Sequence, residues 1–359
     1  MDPEQHALFT AGNGGYHTYR IPALAISSAG TILAFCEGRR FNSRDAGQID
    51  LLLRRSRDHG RTFGPVQVVA TRPGWTRGNP APVVDRQTGA IWLPFCMNPE
   101  DGSEERVCQG KAPRTVWVTH SDDDGITWST PREITAAVKP AAWSSYATGP
   151  GHGIQLRSGR LLIPCDHIVF QDYTLDDPYH SHVIYSDDQG ATWELGGSVD
   201  EGTNESTAVE TADGWLYLNC RNKRPLAGGR NFRAVAWSRD GGQTFSPVVH
   251  DAALPESICQ ASVCRYPAER AGGASLVLYS GPAATTAAHS GRNHLTLRLS
   301  RDDCRTWPEA RVLWEGPAAY SDLAVARDGS ICCLYEQGEE HPYERLTLAR
   351  LDLAWLTGA

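Results

Sequence analysis

The chain of 359 residues is defined first by what it has little of. No apolar run reaches the ~18 residues that a spanning helix needs, so no membrane-spanning helix is expected. Asp-Pro-Glu-Gln-His follows Met1, with neither a basic segment nor an apolar h-region, so no signal peptide is visible. A cytoplasmic location is the expectation, or secretion if the native N-terminus was trimmed. Lysine is rare: 3 of the 34 basic residues, the rest being arginine. The net charge of −8 offers no general basic face for phosphates, so nucleic acid is not an expected partner. No C-x-x-C pair occurs among the 10 cysteines, which removes the spacing of zinc and thioredoxin-like sites. Cys36, Cys96, Cys165 and Cys220 each end an apolar run, and the cysteines read as reduced core residues. G-x-S-x-G, H-E-x-x-H, P-loop and complete G-x-G-x-x-G patterns are all missing, and helical periodicity is scarce.

Glycine (35) and proline (22) are abundant, both above average shares of about 7% and 5%, so the fold is rich in turns. The turns recur. A glycine followed by an apolar strand appears six times, at Gly30, Gly89, Gly159, Gly214, Gly273 and Gly329. A second unit, Ser-x-Asp-x-Gly-x-Thr-aromatic, appears five times, at Ser56–Phe63, Ser121–Trp128, Ser186–Trp193, Ser238–Phe245 and Ser300–Trp307. Its Asp folds back onto backbone N–H groups, its Gly supplies positive φ, and its aromatic ring is free for burial. These five Asp boxes read as scaffold rather than catalyst. The fifth carries Cys304 in place of Gly, so a strained or altered turn is expected there.

Two strands, a box and one more strand make a four-stranded antiparallel unit. Repeated radially, such units make an all-β, six-bladed β-propeller, here one domain over residues 1–359. The apolar end 346–356 is expected to pair with the N-terminal segment and close the last blade.

Antiparallel alternation also sets polarity. Gly turns and Asp boxes share one end, so residues before each first strand and after each second strand gather at the other. There the sequence places Arg20, Glu205 and Tyr320 before Gly turns. It places Glu37, Arg39, Asp166, His167, Arg221 and Glu336 after second strands, with Asp45 and Arg292 in connections. Three arginines from different blades repel unless an anion belongs between them, and guanidinium is a bidentate carboxylate fork.

These residues resemble the sialidase (neuraminidase) family, of the bacterial and animal exo-α-sialidase type. The resemblance rests on Tyr19-Arg-Ile-Pro22, the five Asp boxes, Gly149-Pro-Gly-His152, Asn204-Glu-Ser-Thr207 and Leu218-Asn-Cys-Arg221. The Arg292 segment and Tyr320 before Tyr335-Glu336 complete it, and it runs from about residue 12 to the C-terminus. The resemblance implies that Arg20, Arg221 and Arg292 bind a sialic acid carboxylate, with Glu336 orienting the first. It implies Tyr320 as nucleophile, Glu205 as its base, Asp45 as acid/base, and Arg39 (or Arg40) as a further pocket arginine. It implies sialylated glycans as partners, no cofactor and no metal, and a monomer.

The chemistry is coherent on its own terms. Most retaining glycosidases use two carboxylates, and sialidases with a Tyr nucleophile are a recognised exception. The anomeric carbon of a 2-keto sugar acid already bears a carboxylate, so a neutral phenol avoids like-charge approach. Its ordinary pKa near 10 calls for a neighbouring base. Asp45 as an acid near neutrality calls for a raised pKa, supplied by burial under substrate. Two other readings remain: a related sugar acid of KDN or Kdo type, or a propeller that only binds sialoglycans. Trp143, Tyr146 and the Asn79-Pro80 loop are candidates for the acyl pocket, and Tyr173–Tyr179 for an acceptor shelf. Asn204-Glu-Ser206 is a formal glycosylation sequon, read as coincidence because a glycan there blocks the site.

Overall fold

The computed structural model describes residues 2–169, 179–223, 231–283 and 291–358. Among these residues the strand pairing resolves into six four-stranded antiparallel units. Blade 1 is Thr18–Ile26, Ile32–Arg39, Ile49–Ser56 and Gln67–Ala70. Blade 2 is Val83–Val84, Ile91–Pro99, Thr115–Ser121 and Arg132–Glu133, and Trp75–Gly78 bridges it to blade 1. Blade 3 opens with two segments, Trp143–Thr148 and Ile154–Gln155, and continues through Leu161–Val169, Tyr179–Ser186 and Glu194–Glu201. Blade 4 is Thr203–Glu210, Leu216–Asn222, Phe232–Ser238 and Val249–Pro255. The long strand Glu309–Val325 serves as the outer strand of blade 5, after Ser262–Tyr266, Leu276–Pro282 and Asn293–Ser300, and as the inner strand of blade 6. Ile331–Gln337 and Arg345–Leu351 follow, and Glu4–Thr10 pairs antiparallel with Arg345–Leu351 to close the ring. The inner strands pack in cyclic order, from Thr18–Ile26 round to Glu309–Val325 and back. This is the expected β-propeller.

Burial follows the radius. Thr18–Ile26 and Ile331–Gln337 are almost continuously buried, whereas Glu194–Glu201 and Val249–Pro255 are mostly exposed. First and second strands are covered on both faces, and the second strands, such as Ile91–Pro99 and Leu161–Val169, accordingly carry long apolar stretches. Six hydrophobic clusters lie one in each interface between consecutive blades. The box aromatics wedge into five of them: Phe63, Trp128, Trp193, Phe245 and Trp307 each join a different cluster. All ten cysteines are free thiols, and all but Cys264 are buried.

Each of the six turn glycines has φ between 82° and 97°. Cys304 keeps the box geometry at φ 67°, with its N–H donating to Ser300 Oγ at 2.9 Å. The turn is therefore strained rather than altered. One expectation needs correction: the chain end is strand only to Leu351, and Leu353–Thr357 is a short helix. Asp352 caps its N–H groups (2.7 Å to Trp355 N) and Gly358 ends it in the left-handed region. No helix among the described residues is long and apolar enough to cross a membrane.

Candidate active site

At the end of the axis away from the turns and boxes, a cavity of about 340 Å³ gathers Arg20, Arg39, Asp45, Glu205, Arg221, Arg292 and Tyr320. Inner strands of blades 1, 4 and 6 deliver Arg20, Glu205 and Tyr320. The ends of second strands deliver Glu37, Arg39, Asp166, Arg221 and Glu336. Strand polarity therefore brings these residues to one end, although His167 does not reach the cavity. A larger cavity of about 730 Å³ opens at the turn end, lined by apolar inner-strand residues together with Arg86, Arg157, Arg265, Arg327, Glu210 and His152.

Tyr320 is the centre of the cluster. Its hydroxyl donates to Glu205 Oε1, and Arg221 donates to Glu205 Oε2 at 2.7 Å and to the Tyr320 oxygen at 3.2 Å. Burial pushes the Tyr320 phenol well above its usual range, and Glu205 adds to this; Arg221, Arg292 and Arg20 pull the other way without cancelling it. The phenol is thus neutral at rest, with an acceptor already in place for its proton.

Glu336 is fully buried and holds three groups at once. It accepts from Arg20 Nε at 2.9 Å, from Ile21 N at 3.1 Å and from Tyr320 N at 3.1 Å. One carboxylate thus ties blade 1's arginine to blade 6's tyrosine. Arg292 donates to Tyr343 Oη at 2.9 Å and to Ile258 O at 3.0 Å. Arg20 also lies over the Tyr343 ring, 4.2 Å from its centroid. Arg39 lies in the pocket, held by Glu37 at 2.7 Å, whereas Arg40 turns away to Asp50 and the Tyr16 ring.

Asp45 bridges Arg39 at 2.8 Å and Arg20 at 3.3 Å, with its own side chain 75% exposed. The raised pKa that an acid needs is expected when substrate covers Asp45. Partial loss of hydration at the cavity mouth pushes the Asp45 carboxyl up, but Arg39 and Arg20 outweigh it and hold it below the ordinary carboxylate value. A carboxylate of the chain itself thus lies against two arginines of the cavity, Arg20 and Arg39.

The acyl-pocket assignment is also corrected in part. Tyr146 is fully buried in the core between blades 2 and 3, and Trp143 stacks on His167 with centroids 3.4 Å apart. Neither lines the cavity; Asn79 does, and Pro80 does not. His167 is buried away from the cavity, and burial and then His180 lower it to about 3. The Asn204 amide is buried and donates to Asp166 Oδ1 at 3.1 Å, which removes it from glycan attachment. Of the proposed acceptor shelf, 173–178 lie outside the described residues; Tyr179 lines the cavity. Sequence reasoning missed Glu104, Arg114, Lys223 and Tyr343. All four follow second strands, so the polarity rule was the signal that could have found them. Glu104 accepts from Arg114 at 2.7 Å and from Ser145 at 2.9 Å.

The BNR repeat-like domain family matches residues 30–333. A sialidase of Micromonospora viridifaciens is 36% identical over 98% of this chain, and the chain spans 54% of that protein. Sialidase-3 of Mus musculus is 32% identical over 92% of this chain and 90% of its own length. The structure of the Hadza microbial sialidase Hz136 superposes with a TM-score of 0.86 at 29% identity, covering 98% of this chain and 69% of that one.

Proposed function

The chain belongs to the sialidase family, and on that premise we propose that it is an exo-α-sialidase, releasing terminal sialic acid from glycoconjugates with retention. The observation that carries the reading is the buried Tyr320–Glu205 pair set among Arg20, Arg221 and Arg292. A glycan-binding propeller needs the arginines but has no use for a nucleophile with its base.

In this mechanism the substrate carboxylate enters the arginine cluster and displaces Asp45 from Arg20. Arg292 receives it most readily, since among the described residues it has no carboxylate partner. Freed from Arg20, Asp45 loses part of the pull that lowers its pKa and can hold a proton under the sugar. Tyr320 Oη then attacks the anomeric carbon while its proton passes to Glu205. The glycosidic bond breaks, and the departing oxygen takes the proton from Asp45. In the second half, Asp45 accepts a proton from water, the water oxygen attacks the same carbon, and Tyr320 leaves, recovering its proton from Glu205. Two displacements at one carbon give retention. Arg221 steadies Glu205 before transfer and the phenolic oxygen as charge develops.

Release of a fluorophore from an aryl α-sialoside tests the reading. Turnover by the purified protein supports it; no release between pH 4 and 8 removes it. Parallel rates on N-acetylneuraminic acid and KDN glycosides identify the sugar.

A further inference from the structure

The Gly149-Pro-Gly-His152 segment takes no part in the catalytic steps above, yet it reaches the strand that carries Tyr320. That strand, Glu309–Val325, crosses from blade 5 to blade 6. Its register against Ile331–Gln337 shifts between Ala318 and Ser321, so neither Ala319 nor Tyr320 has a ladder partner among the described residues. Side chains from other strands hold this stretch instead. Tyr320 N donates to Glu336, Ser321 N to Gln260 Oε1 at 3.0 Å, and Leu323 N to Ser262 Oγ at 3.2 Å. Asp322 is fully buried and reaches three further blades. Its Oδ2 accepts from Leu24 N at 2.7 Å, and its Oδ1 from Ser262 Oγ at 2.7 Å. The third partner comes from blade 3, opposite in the ring: His152 Nδ1 lies 2.8 Å from the same Oδ1.

The segment is shaped for that reach. Gly151 has φ 100°, and a Cβ there would stand 3.2 Å from both Asp322 Oδ1 and Gln260 Nε2, so glycine is what lets the backbone come this close. Gln260 Nε2 in turn donates to Pro150 O at 3.3 Å. His152 is mostly buried and lines the turn-end cavity, whereas Tyr320, two residues before Asp322, lines the other. Burial favours the neutral imidazole, but the charge of Asp322 and its hydrogen bond outweigh burial and raise His152 above its usual pKa. A protonated ring can only donate at Nδ1. We propose that His152 is a positioning residue: by holding Asp322 from across the axis, it fixes the irregular stretch at Tyr320 and so the line along which the phenol meets the sugar. The assignment rests on the sialidase reading above. It matters for rate because a misplacement of about 1 Å at a reacting atom can cost about a hundredfold.

The test measures kcat on an aryl α-sialoside, and the dissociation constant of a 2,3-dehydro sialic acid analogue, in the wild-type protein, His152→Asn and His152→Gln. Both replacements are neutral and polar, but only asparagine carries a donor nitrogen where Nδ1 stands; that of glutamine lies one bond further out. His152→Gln should lower kcat by at least about tenfold, whereas His152→Asn should stay within about threefold of the wild type. Analogue binding should stay within about twofold in both, since Arg20, Arg221 and Arg292 lie outside the Tyr320 strand. Rates are counted per analogue-binding molecule, so partial misfolding cancels. If His152→Gln does not fold, His152→Ser, too short to reach Asp322, takes its place with the same expectation. Equal kcat in the two variants overturns the assignment, as does analogue affinity that falls along with kcat. Failure of His152→Asn to fold also overturns it, because that variant keeps the donor. If the wild-type protein does not hydrolyse the sialoside, the sialidase reading itself fails; wild-type turnover with kcat unmoved in His152→Gln removes His152 alone.

Discussion

Both ends of this propeller are rich in carboxylates, yet they use them in opposite ways. At the turn end, each box Asp is satisfied within its own turn. Asp123 accepts from Thr127 N and Ser121 Oγ at 2.8 Å and from Thr127 Oγ1 at 2.5 Å. Those donors hold it at about 2. At the other end, carboxylates bond groups from outside their own turn: Glu336 to Arg20 and Glu205 to Tyr320 across blades, and Asp45 to Arg20 and Arg39 across the strands of blade 1. The lesson is about closure. A carboxylate whose partners lie two to four residues away stabilises one turn and has nothing left for a ligand. Carboxylates whose partners come from other strands and blades, as Glu336 meets Arg20 and Glu205 meets Tyr320, leave a charged cavity that only the assembled ring creates.

The sharpest way to break this contrast is to exchange the expected outcomes of the two ends. Tyr320→Phe should lower kcat by at least about a thousandfold, as removal of a nucleophile does, while a 2,3-dehydro sialic acid analogue still binds in a thermal-shift assay. Near-normal turnover in this variant would take the nucleophile role from Tyr320. Arg292→Ala should reduce kcat/KM by about a hundredfold, through lost grip on the carboxylate. Unchanged kinetics would take Arg292 out of the clamp.

At the turn end the readout should move from activity to stability. Asp123→Ala should cost about 1–2 kcal/mol in urea unfolding, like loss of a capping side chain, and leave KM unaltered. The sign with pH follows from the lowered value. Asp123 falls from an ordinary 3.8 to about 2, so its contribution is complete above pH 3.8 and is lost as pH falls through about 2. Asp58 and Asp240 behave alike: burial pushes each up, but Thr and Ser donors outweigh it and hold each at about 2. Unfolding midpoints should therefore drop over that window in the wild-type protein, and by less in Asp123→Ala. Cys304→Gly should show the smallest effect. It relieves about 1 kcal/mol of left-handed backbone strain but removes a buried thiol of similar worth, so the midpoint should hardly shift.

The blade architecture was legible because its signals are local. A Gly turn or an Asp box needs only its own few residues, and strand alternation converts their positions into a polarity. That polarity located Arg20, Glu205, Tyr320, Arg221 and Glu336. Alternation also explains Arg39: it lies two residues from Glu37 and shares its face, while Arg40 points away. Trp143 and Tyr146 were misplaced because the pairing register shifts between them, and a one-residue slip exchanges the faces of a strand. Glu104, Arg114, Lys223 and Tyr343 went unseen because they lie in connections of unequal length, where side-chain direction is set by neighbouring blades. The downward pull on Asp45 comes from within blade 1: pairing of Thr18–Ile26 with Ile32–Arg39 sets Arg20 and Arg39 beside the connection that carries Asp45.

The account's central claim is that Tyr320 attacks the sugar. A fluorinated sialosyl fluoride, which slows breakdown of a glycosyl–enzyme adduct, allows that bond to be located by peptide mass spectrometry. The account predicts a single sialosyl adduct on the peptide containing Tyr320, absent in Tyr320→Phe. An adduct on Glu205 or Asp45, or inactivation with the label elsewhere, would contradict it.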